Sequence, residues 1–149
     1  MDENIKVSEV KENVSEFKQK YDGLIIHILG TDYTIRVVSA NDERMNYQEA
    51  SGICEAYSKE LYVKDFTAEN DPKQYKCIDK FCKKVLRHEI VHAVFFEAGL
   101  SKYFEDEDLT ETLAHIAPKM VEIMEAIDLT WRKDCSSYGS KKYLRHCRW

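Results

Sequence analysis

Two histidines and a glutamate stand close together past the middle of the chain, in the segment His88-Glu89-Ile90-Val91-His92. Good helix formers surround this segment, so we predict a helix on which His88 and His92, four residues apart, share one face. Two imidazoles in that relation can bind one zinc ion, and Glu89 can act as general base on a water molecule at the metal. The spacing therefore predicts a zinc centre with hydrolytic chemistry.

A catalytic zinc site needs a third protein ligand and an open position for water. A longer form of the motif would place glycine three residues and histidine six residues after His92, but these positions hold Phe95 and Ala98. That form is excluded. The acidic segment further on offers Glu107 and Glu111, four residues apart on one helical face. One of them could bind zinc while the other accepts a hydrogen bond from a zinc-bound histidine.

Two other side chains compete for roles in this centre. His115 lies two helical turns beyond Glu107, near the same face, and is the alternative third ligand. Either Tyr103 or His115 could stabilise the oxyanion that forms during hydrolysis. Glu97, five residues after His92, points to another face of the helix, and we predict that it is a surface carboxylate.

Composition limits the class of protein. The 149 residues suit one domain, with 44% hydrophobic and 33% charged residues. Residues 129–149 carry a net charge of +5, against −10 for residues 1–128.

The acidic start and the lack of a long apolar run argue against a signal peptide and a membrane anchor. Five irregularly spaced cysteines argue against a disulfide framework and favour the reducing cytoplasm.

Hydrophobic periodicity predicts an α+β fold, in which a small, mainly antiparallel sheet packs against the motif helix and a second helix completes the site. Residues 1–23 form an accessory N-terminal helix, 24–128 the domain, and 129–149 a basic tail. Pro118 is expected to kink or divide the second helix. We predict helices at 4–21, 73–100 and 105–127, strands at 24–29, 33–38, 52–57 and 60–63, a loop at 39–48 and a linker at 101–104.

The motif followed by Glu107-x-x-x-Glu111 resembles the gluzincins, in which a Glu-x-x-x-Asp pair follows the histidines on a second helix. The resemblance implies that Glu107 is the third zinc ligand and that Glu111, here Glu instead of Asp, supports a ligating histidine. Residues 24–124 are also similar to small zincin-like proteins of bacteriophages and prophages. That resemblance implies that the protein acts in the cytoplasm of a host cell.

Three functions follow from this interpretation. The first is a zinc-dependent metallopeptidase, with the hairpin at 52–63 offering an edge strand to an extended peptide or protein substrate. The second is a catalytically silent zincin scaffold that binds a host protein through residues 1–21 and 130–149. The third and weakest is association with nucleic acid through the basic tail and its aromatic residues. None of them requires a membrane.

Overall fold

The computed structural model describes residues 14–66 and 78–129. The predicted helical segments 4–13 and 73–77 and the basic tail from residue 130 lie outside the described residues. Two compact units, 1–115 and 116–149, divide the chain within the last described helix. The elements are α1 (Glu16–Tyr21), β1 (Ile25–Ile28), β2 (Thr31–Ser39), α2 (Glu43–Tyr47), β3 (Gly52–Glu55), β4 (Glu60–Asp65), α3 (Ile78–Glu97), α4 (Ser101–Phe104) and α5 (Glu107–Ala126).

The four strands form one mixed sheet in the order β1-β2-β4-β3. The β1–β2 and β3–β4 pairs are antiparallel, whereas β2 and β4 run parallel, with Ile35 opposite Leu61 and Val37 opposite Val63. The connection between the parallel strands contains α2 and β3, which leaves β3 at one edge of the sheet. This architecture confirms the predicted α+β class with a mostly antiparallel sheet.

The core lies between the sheet and α3. Alternate residues of β2, namely Tyr33, Ile35 and Val37, are buried on the face that α3 covers, because side chains of a strand alternate between its two faces. Their neighbours in the core include Val85 and Leu86 of α3. Burying an aliphatic or aromatic side chain of this size contributes roughly 1.5–3 kcal/mol, so this interface holds α3, and with it the motif, against the sheet.

Three predictions of local structure were wrong. Among the described residues the first helix begins at Glu16, because the Ser15 hydroxyl caps it by accepting from the Lys18 N–H. The predicted loop at 39–48 contains α2, which Asp42 caps by accepting from the Arg44 N–H. The predicted linker at 101–104 forms α4. The segments of α2 and α4, with five and four residues, are too short for a hydrophobic period to indicate a helix.

Glu97 is not the surface carboxylate that its helical position predicts. Its side chain is only 13% exposed and accepts hydrogen bonds from Lys59 Nζ at 2.6 Å, Tyr33 Oη at 2.7 Å and Thr31 Oγ1 at 2.8 Å. The end of α3 is thereby tied to the sheet. These partners, Lys59 first, lower the pKa of Glu97 from 4.5 to about 2.

The low pKa of Glu97 predicts acid sensitivity of the fold. Because the folded pKa lies below the ordinary value, the stabilisation is complete above 4.5 and is lost as the pH falls toward 2. We expect the difference in unfolding free energy between wild type and Glu97→Gln to shrink as the pH falls from about 6 to 2, measured by urea denaturation. Glu55→Gln, at an exposed carboxylate of β3, is the control; a constant difference for Glu97→Gln would contradict the prediction.

Candidate metal centre

The end of α3 and the short helix after it bring the start of α5 back toward the motif. Gly99, with φ of +70°, ends α3: the Leu100 N–H donates to the Phe95 carbonyl at 2.8 Å and the Gly99 N–H to the Phe96 carbonyl at 3.1 Å. The turn of α4 then follows directly. This reversal is tight enough for Glu107, fifteen residues after His92, to reach the histidine pair.

Three side chains meet at one point. His88 Nε2 lies 3.0 Å from His92 Nε2 and 2.9 Å from Glu107 Oε2, and His92 Nε2 lies 3.4 Å from Glu107 Oε1. Among the described residues this is the one group of three or more candidate metal ligands whose donor atoms all lie within 4.8 Å of one another. The structure therefore brings together the three side chains that the sequence predicts as candidate metal ligands.

The outer nitrogens of both rings have partners that orient them. His92 Nδ1 lies 2.6 Å from the Phe104 carbonyl, which can only accept, so Nδ1 carries the proton and Nε2 keeps its lone pair. His88 Nδ1 lies 3.3 Å from Glu111 Oε2, the carboxylate for which the sequence predicts a supporting role. Burial lowers the pKa of His92, which favours the neutral ring. The Nε2 atoms of both rings therefore point inward toward Glu107, and that of His92 is an acceptor.

A single cation would fit between these three atoms. A proton on His88 Nε2 can bond Glu107 at 2.9 Å, whereas one metal ion could bind both Nε2 atoms and the carboxylate at once. Zinc with ligands at 2.0–2.1 Å in a tetrahedron would hold them about 3.3 Å apart, close to the distances observed. The donor set, two imidazoles and one carboxylate, matches zinc sites that keep a fourth position open.

The side chain of Glu89 extends from α3 toward β3. It is 5% exposed, and burial, with the charge of Glu107 as a lesser cause, raises its pKa to about 8. Its carboxylate packs on the backbone of Gly52: a Cβ there would lie 2.7 Å from Val85 Cγ1 and closer still to Glu89 Oε1. A side chain at position 52 would therefore displace Glu89.

The ligand set and Glu89 line one cleft of about 500 Å³. Residues 50–54, including the edge strand β3, form one wall, and α3, Phe104 and the start of α5 form the other. Lys84 also lines the cleft and pairs with Glu111, a contact that lowers the pKa of that carboxyl. The cleft thus has the edge strand of the described sheet beside a candidate metal centre.

The two remaining predicted residues lie elsewhere. Neither Tyr103 nor His115 lines the cleft: the Tyr103 ring packs 5.9 Å from that of Phe95, and His115 is exposed on α5. Sequence reasoning missed the Phe104 carbonyl, because a backbone partner leaves no mark on residue type. It also missed Gly52, although a glycine inside a strand indicates a close approach to another group.

Gly52→Ala tests how Glu89 is held. Because the new methyl group overlaps the carboxylate, we expect a loss of about 1–3 kcal/mol in the free energy of unfolding and a misplaced Glu89. Any hydrolysis that depends on Glu89 should fall by more than about tenfold, while zinc affinity should match that of the unaltered protein because His88, His92 and Glu107 are untouched. Ser51→Ala, one residue earlier, is the control; unchanged stability and activity in Gly52→Ala would show that the contact is unimportant.

Comparison with known proteins yields no relative. No protein-family model, no curated protein and no solved structure matches the chain. None of the helices within residues 14–66 and 78–129 has the length and apolar character that a membrane span needs. The function has to be argued from the geometry of the site.

Proposed function

We propose that this protein is a zinc-dependent peptidase of the gluzincin type. One observation carries the proposal: the Nε2 atoms of His88 and His92 and the carboxylate of Glu107 converge in a cleft that also holds Glu89. A coincidental histidine pair would need neither the inward orientation of both rings nor a carboxylate on a separate helix. This arrangement agrees with the resemblance to zincin-like phage proteins, and membership of that group is part of the proposal.

The residues divide the work of hydrolysis. His88, His92 and Glu107 would hold zinc, which when bound acts as a Lewis acid on the scissile carbonyl and lowers the pKa of a water molecule. The Phe104 carbonyl fixes the tautomer of His92, and Glu111 would accept from His88 Nδ1 when Nε2 binds the metal. Glu89 takes the proton of the attacking water and passes it to the leaving amine, so that acid and base catalysis come from one carboxyl group.

The substrate is an extended stretch of polypeptide. Within the part of the chain that the structure describes, β3 pairs on one side with β4, and its residues Gly52, Ile53 and Cys54 line the cleft. A peptide added antiparallel to that edge would gain backbone hydrogen bonds and pass beside the ligand set.

Cys54 and Cys82 are both free, which agrees with a reducing cytoplasm as the compartment.

The test combines metal binding with hydrolysis. Metal-stripped protein is titrated with zinc in a calorimeter, and cleavage of an unfolded, fluorescently labelled protein is followed with and without a chelator. We expect one equivalent of zinc to bind and cleavage to require it. Failure to bind zinc would overturn the metal centre. Zinc binding without cleavage of any unfolded substrate would favour the alternative, a silent scaffold that acts by binding a host protein.

A further inference from the structure

Pro118 lies inside α5 but does not divide it, contrary to one of the two outcomes its position predicts. In an α-helix the N–H of residue 118 would donate to the carbonyl of residue 114, and proline has no N–H. The Ala114 carbonyl therefore lacks its helical donor. Ala114 is fully buried, where a carbonyl without a partner is costly.

Arg87 supplies the missing donor. Its Nε donates to the Ala114 carbonyl at 3.1 Å. Arg87 belongs to α3 and directly precedes His88, while Ala114 follows Glu111 by three residues on α5. The hydrogen bond thus joins the two helices next to the ligand set, through the backbone position that the proline leaves open.

We propose that Arg87 is a positioning residue of the metal centre, which it serves by replacing the N–H that Pro118 lacks. The bond fixes the first two turns of α5 against α3, so that Glu107 reaches both Nε2 atoms and Glu111 reaches His88 Nδ1. The inference rests on the proposed metal centre. It assigns to Arg87 a role that neither the motif nor the cleft requires of it.

The other links between the two helices do not replace this bond. Lys84 and Glu111 form an ion pair between half-exposed side chains, a class of contact that contributes little. The contacts of His88 and His92 with Glu107 depend on the protonation of a histidine or on a bound cation. The Arg87 bond is different, since its acceptor is a buried backbone atom and it needs no metal.

The experiment is a double-variant comparison. Zinc affinity is measured by competition with a chromophoric chelator for wild type, Arg87→Met, Pro118→Ala and Arg87→Met/Pro118→Ala. Lys83→Met, which removes a cation from α3 that pairs with Asp79, controls for net charge. Hydrogen exchange of the amides in residues 107–114, recorded on the metal-free proteins, reports the order of α5 independently of zinc.

We expect Arg87→Met to weaken zinc binding about tenfold or more, as loss of groups outside the ligand set commonly does. Lys83→Met should have no effect. Pro118→Ala provides an N–H for the Ala114 carbonyl, so the double variant should bind zinc within about threefold of Pro118→Ala alone. Exchange in residues 107–114 should rise in Arg87→Met and return to its former level in the double variant.

Each of the remaining outcomes supports or overturns the proposed role of Arg87. Unchanged zinc affinity in Arg87→Met would overturn the proposal, as would a loss that Pro118→Ala does not restore. If Arg87→Met does not fold, a folded, zinc-binding double variant supports the pairing and an unfolded one overturns it. If wild type binds no zinc, the metal centre fails, and with it the role of Arg87 in that centre; the exchange data would then show whether the pairing with Pro118 orders α5.

Discussion

Glu89→Gln is expected to reduce peptide hydrolysis by about 10²–10⁴-fold while the protein still binds zinc. Glutamine fills the same space against Gly52 but cannot take up a proton, so the attacking water loses its base and the leaving amine its acid. The change leaves His88, His92 and Glu107 in place. Turnover of an unfolded, labelled protein and zinc content by atomic absorption are the two measurements.

The control for this variant is another carboxylate of the same cleft. Glu105 lines it but is exposed and lies outside the ligand set, so Glu105→Gln should keep hydrolysis within about threefold of wild type. Full hydrolysis by Glu89→Gln would sink the mechanism. Loss of zinc together with activity would show instead that Glu89 maintains the centre and is not its base.

Glu107→Ala is expected to have the largest effect on the metal. Removing partners of metal ligands costs about 10–100-fold in affinity, and loss of a ligand itself should exceed about 100-fold. The Glu107 side chain is 70% exposed, yet it contacts both Nε2 atoms, so the loss should appear as metal affinity and hardly as stability. Zinc competition titrations and thermal melts of the metal-free protein separate the two quantities.

Three further variants identify the third ligand. Glu111→Ala should fall within the 10–100-fold range, because it removes only the partner of His88 Nδ1. Glu105→Ala and His115→Ala, which alter an acid and a histidine outside the cluster, should leave zinc affinity unchanged. If His115→Ala weakened binding as strongly as Glu107→Ala, the alternative ligand set with His115 would have to replace the one proposed.

The larger part of the candidate site could be predicted from sequence because it depends on local helical geometry. His88 and His92 share a face whatever surrounds them, and so do Glu107 and Glu111. The α+β class could be predicted because apolar residues recur every two residues in strands and every three to four residues in helices. Each period shows which face of the element is buried. These features need no knowledge of which elements touch.

Contacts between distant segments could not be predicted in this way. Glu97 looks like a surface residue on its own helix, and only the packing of α3 on the sheet brings it to Lys59 and Tyr33. The parallel pairing of β2 with β4 depends on how the chain crosses over. Likewise Pro118 alone signals a defect in a helix, and the side chain that compensates for it lies on another element.

The sequence by itself determined two imidazoles and a carboxylic acid on one helix, and a pair of acids on the next. Only the tertiary structure decided which acid faces the histidines, because the Gly99 turn and α4 set the angle at which α5 begins. The tertiary structure also shows two backbone contacts that residue types cannot indicate. The Phe104 carbonyl contacts His92 Nδ1, and the Glu89 carboxylate packs against the backbone of Gly52. The physical reason is that helical spacing is a property of a segment, whereas ligand convergence is a property of packing.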